Sequence, residues 1–147
     1  MPLPEDIRTE PGRLPSLAGG LQSLVSAEAV TELARSYGFA VGSATECVKV
    51  AVAAGAEGEA LLDEIAHRLA LGVAAVCVIL DPGLVVLSGE VGHAGGEALT
   101  SRVEEAVARI CPVRPQVVTT TVTDDNPVRR GAVLAALDEA REELLAP

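Results

Sequence analysis

Aromatic side chains are nearly missing from this chain of 147 residues, which has one Phe, one Tyr and no Trp. Yet 49% of its residues are hydrophobic, so any core must be aliphatic, built from Val, Leu, Ile and Ala. Basic side chains are also scarce: 11 Lys and Arg stand against 21 Asp and Glu, for a net charge of −10. Lys49 is the only lysine. A protein that grips a phosphate backbone needs clustered cations, and scattered arginines make no such face. Direct nucleic-acid binding by this chain is therefore not expected.

Cysteines are few and far apart. Cys47, Cys77 and Cys111 form no CxxC pair, so neither a zinc ribbon nor a redox motif is indicated. Cys47 and Cys77 lie in apolar surroundings and read as small buried hydrophobes, which fits a reducing cytoplasm. Residues 1–20 lack a basic region followed by an apolar run, so they do not read as a signal peptide. The longest apolar stretch, Leu69 to Leu80, is 12 residues. A bilayer core takes about 20, so this stretch reads as a core helix, and no membrane association is expected.

The first twenty residues hold four of the nine prolines and read as an irregular lead-in to one domain over residues 21–147. Ser26 then caps a helix to about Tyr37, with Val30, Leu33 and Ala34 on one face and Gly38 as the stop. Ser43-Ala44-Thr45-Glu46 forms a capping box for a helix to about Ala54. A long helix from about Glu57 to Leu80 is apolar all round in its second half, which predicts burial on every side. Asp81-Pro82 ends it.

Leu84 to Ser88 is a β-branched run between turn signals and predicts a buried strand. A glycine-rich loop over Gly89–Gly96 follows, then a helix from about Glu97 to Ile110 with Leu99, Val103, Ala106, Val107 and Ile110 inward. Gln116–Val122 predicts a second strand, Asp124-Asp125-Asn126-Pro127 an acidic turn, and Val128–Leu145 a last amphipathic helix. Glu104, Glu105, Glu139, Glu142 and Glu143 read as solvated helix faces, partly paired with Arg102, Arg109 and Arg141. The order predicts an α/β fold, rich in helix with few strands.

Several of these segments together resemble the ROK family of repressors, open reading frames and sugar kinases. Ala70-Leu71-Gly72-Val73-Ala74, then Leu80-Asp81-Pro82-Gly83-Leu84-Val85-Val86-Leu87-Ser88-Gly89, is similar to the family's helix, LDP turn, and strand entering a glycine turn. Gly131-Ala132 resembles the Gly-Ala that opens the family's last helix, and Gly20–Ala27 resembles its Gly-Cys-x-Glu-x-x-x-Ser segment. The resemblance runs from about Gly19 to the end. It implies the C-terminal ribonuclease-H-like lobe of the actin-like kinase fold.

The resemblance also implies what to look for in the way of sites. The family's kinases bind phosphate through a DxG turn on a first lobe, which supplies the catalytic base, and no segment here is expected to be that lobe. The family's zinc cysteines fall on Arg13, Pro15 and Gly20, none of which binds zinc, so no metal site is expected. Its sugar-binding Glu falls on Gln22. Glu90-Val91-Gly92-His93 copies the family's Glu-x-Gly-His spelling, but at the wrong place, directly after the strand. His93 and His67 are expected on the surface. A Gly-rich strand-to-helix turn can cradle an anion, yet many such turns only reverse the chain. Gln22, Ser88, Gly89 and Glu90 are the candidate ligand-binding residues, with a sugar as the implied ligand class. No catalytic residue and no cofactor is expected. The combined expectation is a noncatalytic regulatory or sensor module that self-associates. A fragment of a glucokinase-like sugar kinase and a stand-alone oligomerisation domain are the alternatives.

Overall fold

The computed structural model describes residues 20–121 and 127–145. Among these residues, six α-helices and two strands follow in the order α1 (Leu21–Val25), α2 (Ala27–Ser36), α3 (Ala44–Ala53), α4 (Glu59–Leu80), β1 (Leu84–Leu87), α5 (Gly89–Ile110), β2 (Gln116–Thr119) and α6 (Pro127–Leu145). This is a helix-rich α/β arrangement. The predicted lead-in up to residue 19 (Arg13 and Pro15 included), Val122 of the predicted second strand and the Asp124-Asp125 turn lie outside the described residues. That strand itself ends at Thr119.

Local chemistry explains the helix starts. Ser26 Oγ accepts from Ala29 N at 3.2 Å and opens α2. Ser43 Oγ accepts from Glu46 N at 3.1 Å and opens α3. Glu46 returns its carboxylate to Gly42 N at 2.8 Å, one residue ahead of the cap. The box is thus wider by one residue than its spelling indicates. A single 3₁₀ turn at Gly55–Glu57 leads into α4, which starts two residues later than the sequence suggests. Asp81 ends α4 in the left-handed region, at φ 45°.

The core lies where α2, α3, α4 and α5 meet, and β2 adds Val117. Leu61, Ile65, Val48, Leu99, Val103 and Val107 are its largest fully enclosed side chains, all aliphatic as the composition requires. α4 and α5 run against each other, and their buried residues include Ala66, Ala70 and Ala74 on α4 and Leu99, Val103 and Ala106 on α5. Small residues let the two backbones come close. Arg102 Nε ties the same helices together from the rim by donating to Asp63 at 2.8 Å.

β1 and β2 pair in parallel, with Leu84 opposite Gln116 and Leu87 opposite Thr119. The crossover between them is α5, which packs on one face of the pair and partly buries Val85 and Leu87. Leu84 and Val86 point to the other face and are about half exposed.

Four expectations need correction. The second half of α4 is not buried all round: Leu71, Val76, Val78, Ile79 and Leu80 are exposed, and no element among the described residues covers them. Among the described residues, the strand over residues 84–87 is covered on one face only. Gly89–Gly95 is helical rather than a loop, and the chain breaks instead at Gly96, whose φ of 48° and ψ of −143° suit glycine alone. Ile110 is exposed, although Cys111 beside it is buried.

Candidate functional site

The turn from β1 into α5 carries three of the four candidate residues. Ser88 is extended and precedes the helix without capping it through its side chain. Gly89 takes a left-handed φ of 81° to swing the chain from strand to helix. The turn then closes down on the strand, for a Cβ at Gly92 would stand 3.0 Å from the Leu87 carbonyl. His93, one helical position on, is exposed, as is His67 on α4.

Glu90 reaches toward α3. Its Oε2 accepts from Thr45 Oγ1 at 2.9 Å, a link between residues 45 apart in sequence. It also borders an open cleft of about 420 Å³ with Glu28, Thr31 and Arg35 of α2 and Ser43 ahead of α3. Two carboxylates and one guanidinium make this a mixed-charge surface rather than an anion cradle. Gln22 does not line it. That residue lies exposed on α1, which packs against α2 and α4. Ser88, Gly89 and Glu90 thus adjoin at one turn, but of the four candidates only Glu90 borders the cleft. Sequence inspection missed Arg35 and Glu28 here, because only the packing of α2 beside α3 brings them near Glu90.

A second groove runs between α5 and β2, bordered by Glu97, Thr100, Ser101 and Glu104 and by Gln116–Thr119. Here Glu104 is no solvated face residue: its Oε1 accepts from Val117 N at 2.5 Å. The carboxylate occupies a backbone donor on the outer edge of β2, and Thr119 Oγ1 donates to Gly92 O at 3.2 Å. Arg102 pairs with Asp63 rather than with a helical neighbour, whereas Arg141 pairs with Asp138 at 3.4 Å.

Cys47, Cys77 and Cys111 are free thiols on α3, on α4 and after α5, all buried. Burial pushes the Cys47 thiol above its usual range. Cys77 is raised by burial first, then by the neighbouring Cys111 and Asp81. Among the described residues no three His, Cys, Asp or Glu side chains converge as metal ligands.

The order of helix, left-handed aspartate, strand and glycine turn over residues 59–92 is now fixed in three dimensions. The family model of the ROK family matches residues 18–139. The chain belongs to the ROK family. No curated protein and no solved structure matches it. Among the described residues of this ROK chain, no helix is long and apolar enough to cross a membrane.

Proposed function

We propose that this ROK chain is a noncatalytic regulatory or sensor module, one that senses a sugar in the cytoplasm and does not itself bind DNA. The sugar is taken from membership of the ROK family, whose model matches residues 18–139, and the scatter of the candidate residues supports only the noncatalytic part of the reading. Glu90 is engaged by Thr45, Gln22 lies outside the cleft that Glu90 borders, and that cleft mixes both signs of charge. Phosphoryl transfer depends on positioning groups that converge on the transferred phosphate and on a base beside the acceptor hydroxyl. A net charge of −10 further disfavours holding a nucleotide triphosphate or a DNA backbone.

A coupled assay with ATP and glucose tests the proposal. The purified chain is expected to consume no ATP beyond a buffer control. Glucose-dependent turnover clearly above that control would instead establish the kinase alternative. Thermal denaturation with a panel of hexoses separates a sensor from an oligomerisation domain, since a ligand that binds only the folded chain raises its Tm. One sugar raising the Tm supports sensing, and no response across the panel rejects it.

A further inference from the structure

Two buried thiols that are far apart in sequence lie at one end of the fold. α4 and α5 each end just ahead of a strand, and those strands start together, with Leu84 opposite Gln116. Gln116 N donates to Gly83 O at 3.0 Å and ties the two approaches to the sheet. Further back, Arg102 of α5 donates to Asp63 of α4 at 2.8 Å. The buried stripe on α4 passes through Ala66, Ala70 and Ala74 and ends on Cys77. That on α5 passes through Val103 and Val107 and leads to Cys111, whose N–H donates to Val107 O at 2.9 Å. Spacings of three and four residues keep each set on one side of its helix. Both thiols therefore sit where the two helices hand the chain on to the sheet. A charge on Cys111 is close enough to oppose ionisation of Cys77.

We infer that Cys77 and Cys111 are an oxidisable pair, which a peroxide converts to a disulfide that fixes the end of α4 to the end of α5. Cys111 is 9% exposed and Cys77 0%, so Cys111 is the sulfur that an oxidant reaches. Its thiolate attacks the peroxide, the O–O bond breaks, and Cys111 becomes a sulfenic acid as water leaves. Cys77 then attacks that sulfur. The S–S bond forms, the S–O bond breaks, and a second water carries away the thiol proton. In all, two thiols give up two electrons and the peroxide is reduced to two waters. Burial holds Cys77 in its protonated form, so the pair answers sustained oxidant rather than a brief pulse. Cys47 takes no part, for it lies on α3 with its S–H donated to Val30 O at 3.8 Å. The loop closed by the bond holds β1 and α5, and closure restrains the unfolded chain more than the folded one. The inference holds whether or not the chain senses a sugar.

Treating the full, reduced chain with hydrogen peroxide tests it. The treated chain is unfolded, its remaining thiols are alkylated, and its fragments are mapped by mass. Of the three thiols only Cys47 should remain free, with Cys77 and Cys111 joined within one chain by a bond that dithiothreitol breaks. The oxidised chain should melt several degrees above the reduced one, and reduction should remove the difference. The rate of linking should rise between about pH 7 and pH 9 as more thiolate forms. Cys47→Ala should keep the link, whereas Cys77→Ala should lose it and leave a sulfenic acid at Cys111 that dimedone traps. Should the second variant fold poorly, the map of the unsubstituted chain decides alone. Three free thiols after peroxide, a link that includes Cys47, or links only between chains would overturn the inference. So would a Tm that does not rise when the link forms.

Discussion

Glu104 illustrates how one carboxylate changes meaning between sequence and structure. Next to Glu105, and beside Arg102 and Arg109, it reads as part of a solvated ion-pair face. In the folded chain it accepts from Val117 N on the outer edge of β2. An edge strand with free donors invites pairing with another chain, and Glu104 occupies one of them. Glu104→Ala is expected to lower stability by about 1–3 kcal/mol through the partly buried donor left unpaired. Glu104→Gln, which keeps an acceptor oxygen, should recover most of that loss in urea unfolding. Equal losses for the two variants would count against the bond. The spacing of residues 104 and 117 carries no helical or strand period, so no sequence pattern announces it.

At the scale of elements, the helix starts were legible because a cap is a local device: Ser26 and Ser43 act on donors three residues away. The helices' mutual approach was less so. Gly58 sits at the entry to α4, directly against Ala51 of α3, and a Cβ there would collide with the Ala51 carbonyl. Backbone cannot swing aside as a side chain can. Gly58→Ala should therefore push α3 from α4 and cost about 1–3 kcal/mol as an overpacked contact. Thermal denaturation should show a Tm lower by several degrees. An unchanged Tm would mean that the helices tolerate the added methyl. Gly89–Gly96 shows the opposite limit. Its run of glycines suggested a loop, but Val91, Gly92 and Gly95 pack against neighbours, and that tertiary contact overrides weak helix propensity. Only Gly89, where the strand turns into the helix, and Gly96, at the break, take the positive φ that the composition implied.

For the molecule as a whole, buried thiols couple stability to pH. Cys47 and Cys77 have raised pKa values in the folded state, so the folded chain holds those protons more tightly than the unfolded one. Their stabilising contribution is complete below the unfolded value of about 8.5. It is lost as pH climbs from there through the higher folded values. Urea unfolding should give a midpoint that falls between pH 8 and pH 10, and Cys47→Ala should flatten part of that fall. A pH-independent midpoint over this range would contradict the assignment. Composition alone dictated an aliphatic core and an acidic net charge, because those follow from which atoms are present. The order of elements from α2 onward followed from periodicity, caps and turns within a few residues, whereas the short α1 was not foreseen; the family match over residues 18–139 bears out the resemblance that the motifs carry. Tertiary structure decided the rest: which face of α4 and β1 is covered, where Glu90 and Glu104 find partners, and that Gln22 stays outside the cleft. Burial and hydrogen bonding between distant segments depend on which surfaces meet, and no local pattern of residues carries that information.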